Sequence, residues 1–285
     1  MQLLMHCPNL EWTMLICRQL HKKFGVSYKT QLKKKYLTKR KSMTEKILYD
    51  KKGDATHITL NRGDCGGLVS DPMAAQLASM IDAANENSKY VVFRSVGKDF
   101  CLGRDSDGRE PGRPADAMES RRRSEVVFNF YGSFRRSKIP VIAATQGRSL
   151  GFGCAIASVC DITIAAGSSR FALPEMGHNI MPTMAMSSLV DRVGRKAALY
   201  LTYSTEEIDA YTALAYGLVS RVVDDDKLDI HLDMVCAALD KAPIPAVLSV
   251  KEYATNALTM SIEQATDFAR NMHSAVNTSK GMMGN

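Results

Sequence analysis

The sequence predicts an α/β domain of repeated strand–strand–helix units, followed by a C-terminal helical region. Short runs of β-branched and apolar residues alternate with helical patterns, glycine-rich turns follow the strands, and only helical spacing remains near the C-terminus. The 285 residues can bury one sizeable core, and 45% hydrophobic with 24% charged residues is typical of soluble globular proteins. Because no apolar run approaches the length of a membrane span, no membrane-spanning segment is predicted.

Positive charge is concentrated at the start of the chain. Residues 1–42 hold ten lysines and arginines against one glutamate, a net charge of +9, so residues 43–285 carry −2 of the total +7. We expect this basic N-terminal extension to be a poorly ordered tail or a segment upstream of a natural start at Met43. A mitochondrial presequence is the alternative, since such peptides are basic, amphipathic and poor in acids. The expected compartment is cytoplasmic, or mitochondrial if residues 1–42 are a presequence.

The composition of the body excludes several classes of function. Its near-neutral charge disfavours nucleic acid as a partner. The lysine run of the N-terminal extension does not change this, because a lysine run without a folded reader is usually a solvated charge cluster. Seven cysteines without a Cys-x-x-Cys pair fit neither a disulfide framework nor a zinc site, and a reducing compartment follows. No P-loop, dinucleotide fingerprint or metal-ligand spacing is present, so neither a metal nor a cofactor is predicted.

The body begins with a hairpin, a loop and a helix. Residues 46–60 indicate two short strands, and residues 61–67 form a loop by composition. Asp71 is predicted to be the N-cap of a helix, with Pro72 in its first turn. The apolar stripe of this helix consists of Met73, Leu77, Met80, Ile81 and Ala84.

The next strand leads into a glycine turn. Residues 90–95 are β-branched and aromatic, and they deliver the chain into GKDFCLGRD at residues 97–105. Residues 106–115 are rich in Gly, Pro and charge, which is typical of a mobile loop. Helical spacing returns over residues 119–134.

A second strand and glycine turn follow at the centre of the chain. Residues 141–145 predict a buried strand that turns at Gln146-Gly147 and enters Gly151-Phe152-Gly153. Every residue from 152 to 159 is small or apolar, as in a helix buried on all sides. Because the first N–H groups of a helix are unpaired, this glycine-flanked start directs backbone donors outward.

A carboxylate follows close behind these donors. Two further apolar runs, at residues 161–166 and 170–173, end at Pro174-Glu175. Backbone donors and a nearby carboxylate can together hold a carbonyl oxygen and move a proton beside it.

Helices dominate the rest of the chain. Helical spacing covers residues 185–193, 195–201, 205–216, 227–242, 245–258 and 261–275. Residues 218–223, between the third and fourth of these segments, resemble a strand of a known family. We therefore divide the chain into the basic extension at residues 1–42, an α/β core at residues 43–220 and a C-terminal helical region at residues 221–285.

The glycine turns carry a resemblance to a known family. GRSLGFGCAIASVCDITIAA followed by RFALPE, and the upstream GKDFCLGRD, resemble the enoyl-CoA hydratase/isomerase (crotonase) superfamily over about residues 47–283. The resemblance implies a crotonase-like (ClpP/crotonase) fold, which is a spiral of repeated ββα units, and a homotrimer or hexamer. It also implies an acyl-CoA substrate of fatty acid metabolism, with coenzyme A as part of the substrate and no separate cofactor.

The resemblance also assigns site residues. It implies an oxyanion hole made by the backbone N–H groups of Arg104 and Phe152, and Glu175 as the catalytic carboxylate, whose pKa must then be raised by burial. The positions implied for substrate or coenzyme A binding are Arg62, Leu102, Gly103, Gly151, Gly153, His178 and Thr183. The structural alternatives are tight packing at the glycines and a capping or surface role for the glutamate.

Several positions depart from the family pattern. Gly66-Gly67-Leu68 replaces Asn-Ala-Leu, and Phe152 stands where glycine is usual and could narrow the acyl pocket. Further residues that could line that pocket, or simply fill the core, are Tyr131, Met181, Met184 and Met186. The basic residues that form either a solvated helix face or a site for coenzyme A phosphates are Arg121, Arg122, Arg123, Arg135 and Arg136.

The most important departure is Ala155, at the position where hydratases of the family hold a second glutamate. One carboxylate favours isomerase-type transfer of a single proton over two-glutamate hydration. His178, Asp105 and Asp161 are the candidate substitutes, interpreted as a loop histidine and two structural acids. The alternatives are a hydratase or lyase with a substitute for the missing glutamate, and a non-catalytic acyl-CoA- or RNA-binding relative.

Overall fold

The computed structural model of the chain describes residues 46–282. The basic extension expected at residues 1–42, with its alternative as a presequence, lies outside the described residues. Between residues 46 and 282, no helix is both long enough and apolar enough to cross a membrane.

Six strands of the described chain form the larger sheet. In sheet order they are β1 (Ile47–Lys52), β2 (Ala55–Leu60), β3 (Tyr90–Ser95), β4 (Val141–Thr145), β6 (Ile162–Ala166) and β9 (Arg221–Val223). The first two form the predicted antiparallel hairpin, and every later strand is parallel to its neighbour. β3 and β4 match the predicted strands residue for residue.

Three further strands of the described chain form a smaller sheet. It consists of β5 (Arg148–Leu150), β7 (Arg170–Ala172) and β8 (Ile208–Asp209), in that order. β5 follows β4 and β7 follows β6, so each of these two repeats places one strand in each sheet, as the predicted strand–strand–helix unit requires. The parallel pairing of β5 with β7 brings the ends of the two repeats together.

Helices cover both faces of the larger sheet. In chain order they are α1 (Asp71–Ala84), α2 (Ala117–Arg136), α3 (Phe152–Val159), α4 (Thr183–Met186), α5 (Arg195–Ser204), α6 (Ala210–Ala215), α7 (Leu228–Lys241), α8 (Ile244–Asn256) and α9 (Ile262–Asn277). Alternate residues of β3 divide between two cores: Val91 and Phe93 pack with α1, α2 and α3, whereas Tyr90 and Val92 pack with α7. All eight residues of α3 are buried, as predicted.

The start of α1 corrects one prediction. Ser70, not Asp71, occupies the N-cap position, and Asp71 is the first helical residue. Its carboxylate is bound to the guanidinium of Arg104 at 2.5 Å. The aspartate therefore joins α1 to the glycine turn after β3, a role that local capping rules could not reveal.

Two helices are shorter than predicted. Of residues 185–193 only the first two lie in α4, and turns follow it. Residues 205–216 begin with Thr205 in the left-handed conformation, continue through β8 and become helical only at α6. Asp209 begins that helix because its carboxylate accepts the N–H of Thr212 at 2.7 Å.

The last helices are joined to the core by a buried lysine. Lys251 of α8 is 7% exposed, and its ammonium donates to the Asp161 carboxylate at 2.7 Å and to the carbonyl of Ile139 at 2.8 Å. Arg192 also faces Asp161, at 3.5 Å. Asp161 is thus structural, as expected. The predicted boundary at residue 220 stays a prediction, and β9 beyond it pairs with β6 in the larger sheet.

Candidate active site

The two glycine turns lie side by side. Cys101, in the turn after β3, bridges to Ser149 of β5 in a parallel arrangement. Its N–H donates to the carbonyl of Arg148 at 3.2 Å, and its carbonyl accepts the N–H of Leu150 at 2.9 Å. These bonds bring residues 97–105 against the strand that leads into α3.

The first turn exposes the backbone N–H of Arg104. The carbonyl of Gly103 accepts the N–H of Val69 at 3.1 Å, and the N–H of Asp105 donates to the Val69 carbonyl at 2.9 Å. In such a parallel bridge the residue between these two bonds directs its own N–H to the opposite side. Within residues 46–282 the Arg104 N–H has no backbone or side-chain acceptor, so it can receive a ligand oxygen.

The second turn exposes the N–H of Phe152, the first residue of α3. Gly151 precedes it with φ of +50°, in the left-handed region that side chains rarely adopt. A Cβ atom at Gly153 would overlap the carbonyl oxygen of Cys101, so this glycine allows the two turns to meet. Among the residues that the structure describes, no acceptor takes the Phe152 N–H.

Glu175 lies beside the second turn. It follows β7 in a short 3₁₀ helix, Pro174–His178, and its Oε2 atom is buried without a hydrogen-bond partner in the described part of the chain. Burial raises the pKa of its carboxyl, while a bond from its own backbone N–H and the nearby His178 act in the opposite direction. A half-buried carboxylate with a raised pKa is suited to proton transfer near neutral pH.

His178 and Thr183 are both exposed. His178 ends the 3₁₀ helix and acts on Glu175 through its charge, and Thr183 is the first residue of α4. Neither forms a side-chain hydrogen bond to another described residue, and the binding role implied for both stays a prediction.

Arg62 and Leu102 shape the first turn from outside. The guanidinium of Arg62 binds Asp105 at 2.6 Å and the carbonyl of Leu68 at 3.1 Å. The hydrogen bond from Arg62 lowers the pKa of the Asp105 carboxyl, so Asp105 is a structural acid, as expected. A Cβ atom at Gly66 would overlap the Leu102 side chain, so the glycine pair of this loop fits closely against the turn.

Phe152 directs its ring into the core. The side chain is 5% exposed and stacks on Phe130 of α2, with 5.2 Å between ring centroids and 14° between planes. Tyr131 is buried next to it, at 5.4 Å between centroids. The helical period of α2 indicates only that Tyr131 faces inward, so its closeness to α3 could not be read from the sequence.

No second acid replaces the missing glutamate on α3. Ala155 is fully buried and has no ionisable group. Across residues 46–282 no cluster of three or more His, Cys, Asp or Glu side chains could hold a metal ion.

The α2 arginines are paired with carboxylates, which favours a structural helix face over a phosphate site. Arg122 binds Glu110 at 2.7 Å, Arg123 binds Glu119 at 2.5 Å, and Arg136 binds Asp82 at 2.6 Å. Arg135 likewise binds Asp191, whereas Arg121 is exposed.

Several known proteins are similar to this chain in sequence and fold. A family model described as enoyl-CoA hydratase/isomerase matches residues 50–284. The short-chain-enoyl-CoA hydratase of Clostridium acetobutylicum is 30% identical over 233 residues, covering 78% of this chain and 85% of that protein. The 1,2-epoxyphenylacetyl-CoA isomerase of Escherichia coli is 28% identical over 237 residues, covering 80% and 88%. The crystal structure of an enoyl-CoA hydratase from Mycobacterium smegmatis has a TM-score of 0.77 at 26% identity, covering 84% of this chain and 93% of that one.

Proposed function

Since the chain belongs to the enoyl-CoA hydratase/isomerase family and has the crotonase fold, we propose that it is an isomerase-type enzyme with Glu175 as its only proton-transfer group. Membership confirms the predicted class, an enzyme that processes acyl-CoA thioesters. The single observation that carries the finer proposal is a half-buried Glu175 carboxylate beside two unpaired backbone donors, with alanine at the position of the second acid.

The two donors would hold the thioester oxygen. The N–H groups of Arg104 and Phe152 belong to turns that are bonded to each other through Cys101, so their separation is set by the backbone. Donors that are held in place before the reaction stabilise charge as it develops, and the loss of one costs about 3 kcal/mol in other enzymes.

Glu175 would then move one proton between two carbons. Its carboxylate removes a proton from C2 of a 3-enoyl thioester, and the electrons of the broken C–H bond shift onto the thioester oxygen as a dienolate forms. The protonated Glu175 returns the proton to C4, which leaves the double bond between C2 and C3. No water, metal or redox partner is consumed, so one acid suffices.

Hydration is the second candidate. The observation that favours it is the position of His178, which is near enough to Glu175 to lower the pKa of the carboxyl. A histidine there, or a water that it holds, could do the work of the missing glutamate. The Clostridium relative named above is a hydratase, whereas the Escherichia coli relative is an isomerase.

A panel of 2-enoyl and 3-enoyl thioesters tests the proposal. We expect 3-enoyl-CoA substrates to be converted into 2-enoyl-CoA products, with loss of this activity in Glu175→Gln and its retention in His178→Gln. Hydration of 2-enoyl-CoA without isomerisation, abolished by His178→Gln, would contradict the proposal and establish the second candidate.

A further inference from the structure

A cavity lined by arginines adjoins the first glycine turn. Its volume is about 420 Å³, and its walls are residues of α1, of the turn, of the loop at residues 106–115 and of α2. Arg104 belongs to both the cavity and the candidate site: its side chain lines the cavity, and its backbone N–H is one of the two donors proposed for the thioester oxygen. The cavity is therefore reached from that N–H over the length of the Arg104 side chain.

The loop is held in place by arginines of α2. The guanidinium of Arg123 donates to the carbonyl of Gly112 at 2.9 Å. Arg122 binds both carboxylate oxygens of Glu110, each at 2.7 Å. These contacts join the loop to the helix on one side of Arg109, so that Arg109 has a defined position at the cavity.

The arginines of the cavity outnumber the carboxylates that pair with them. Three of the four arginines in its lining each bind an acid, and these pairs are Arg104 with Asp71, Arg122 with Glu110, and Arg123 with Glu119. The fourth, Arg109, has no hydrogen bond or ion pair from its side chain to any residue between 46 and 282. One positive charge is thus left over in the lining of the cavity.

The surroundings of Arg109 favour an anion beside it. Burial and the positive charge of Arg104 lower the pKa of Arg109, and attraction by Asp71 and Asp105 does not offset them. The guanidinium nevertheless keeps its proton, as arginines in proteins do. A negative group in the cavity would balance this charge and accept the hydrogen bonds that no protein group accepts.

The size of the unbalanced charge favours a carboxylate. A carboxylate and a guanidinium are both planar and form two parallel hydrogen bonds, and one negative charge balances the one that is left over. A phosphate monoester carries about two negative charges and would leave the cavity negative. A hydrocarbon chain would cover the guanidinium without giving it an acceptor.

We propose that Arg109 binds a carboxylate at the far end of the acyl chain, so that the enzyme prefers thioesters of dicarboxylic acids. This inference rests on the proposed function, because it takes the Arg104 N–H to hold the thioester oxygen. The extended acyl chain of hex-3-enedioyl-CoA is comparable in length to an arginine side chain, so its carboxylate would reach the cavity. No bond is made or broken at this carboxylate, which serves only for recognition.

The binding of two saturated, unreactive thioesters tests the proposal. Adipyl-CoA ends in a carboxylate where hexanoyl-CoA ends in a methyl group, and calorimetry measures the Kd of each. We expect the wild-type protein to bind adipyl-CoA about tenfold more tightly than hexanoyl-CoA, as for one hydrogen-bonded charge, and Arg109→Gln to lose this preference. Arg113→Gln is the matched control, since Arg113 is exposed on the same loop but does not line the cavity, and it should retain the preference.

Two results would overturn the proposal. One is equal binding of the two thioesters by the wild-type protein, or a preference that persists in Arg109→Gln. The other is equal weakening of both thioesters in Arg109→Gln that disappears when their coenzyme A lacks the 3′-phosphate, because the arginine then binds that phosphate.

Isomerisation separates this inference from the proposed function. If hex-3-enoyl-CoA and hex-3-enedioyl-CoA are isomerised with the same kcat/KM, and adipyl-CoA is not preferred, the proposed function stands and only the role of Arg109 is wrong. If neither is isomerised, but the preference for adipyl-CoA depends on Arg109, the carboxylate site stands and the proposed function is wrong.

Discussion

The carboxylate of Glu175 lies directly against the backbone of Gly151: a Cβ atom at residue 151 would stand 2.9 Å from Oε1. The N–H of Gly151 also donates to the carbonyl of Ala172 at 2.9 Å, which ties the strand before Glu175 to the turn before α3. The Glu175 carboxylate and the start of α3 are therefore held together, and a small displacement of either changes the position of the carboxylate relative to the Phe152 N–H.

Gly151→Ala should separate backbone strain from damage to the site. A side chain at positive φ costs about 1–2 kcal/mol, and at residue 151 it also displaces Glu175. We expect kcat to fall by on the order of 10²-fold, as for other small misplacements of catalytic groups. Gly53→Ala is the matched control, since Gly53 has φ of +58° and a Cβ atom there would meet nothing within 4 Å. Equal activity in both variants, measured at equal folded fraction, would contradict the prediction.

Glu175→Gln should stabilise the protein near neutral pH. Burial raises the pKa of Glu175 above its usual value of 4.5, so the folded protein favours the protonated carboxyl. The stability that this preference contributes is complete below pH 4.5 and is lost as the pH rises through the pKa of the folded state. Glutamine has no charge to desolvate, and the thermal midpoint of the variant should exceed that of the wild type increasingly as pH rises above 4.5, until the carboxyl is ionised in the folded protein as well.

Asp105→Asn is the control of opposite sign. The hydrogen bond from Arg62 lowers the pKa of Asp105 below 3.8, so the stability contributed by this carboxylate is present above that value and is lost as pH falls. Asp105→Asn should therefore unfold at a lower temperature than the wild type at neutral pH. If Glu175→Gln is also less stable than the wild type at neutral pH, the raised pKa of Glu175 is wrong.

The sequence predicted those elements whose pattern is local. Val141–Thr145 and Phe152–Val159 consist almost entirely of apolar or small residues and are bounded by glycine or polar turns, so their type and limits were predicted correctly. β8 was missed because two residues make a strand only by pairing with β7, and Thr205 ends α5 in a conformation that its residue type does not indicate.

The candidate site was predicted only in part, because local motifs mark some of its residues and long-range packing places the others. Glu175 and the two glycine turns are marked by their motifs, whereas the position of Tyr131 depends on α2 packing against α3. The pairing of Asp71 with Arg104 is equally long-range. The roles of the site residues, and the trimer or hexamer implied by the resemblance, stay predictions.

Phe152→Leu should affect stability more than catalysis. The donor at this residue is its backbone N–H, while its ring stacks on Phe130 in the core. We expect a loss of about 1 kcal/mol in the free energy of unfolding, as for a swap of core residues of similar size. The control is Phe128→Leu on α2, where the side chain is 38% exposed, so a smaller loss in the free energy of unfolding is expected. A kcat lowered by more than about tenfold at equal folded fraction would show that the side chain matters to catalysis.

Lys251→Met should destabilise the fold strongly. The ammonium is buried against Asp161 and two carbonyl oxygens, so its loss leaves the half-buried Asp161 carboxylate without its lysine partner and costs about 3 kcal/mol. Lys227→Met is the control, because that lysine pairs with Asp224 at the exposed surface, and its loss should have little effect on the free energy of unfolding. Urea denaturation of both variants measures the difference, and similar losses would contradict the prediction.

Exchange of the α-proton of butyryl-CoA with deuterium from D₂O tests the central claim most directly. Exchange requires an enolate at the thioester and a group that moves the proton, whatever acyl chain the enzyme normally accepts. We expect the wild-type protein to catalyse exchange, detected by mass spectrometry, and Glu175→Gln to lose it by at least about 10²-fold. Exchange at the wild-type rate in Glu175→Gln would contradict the account.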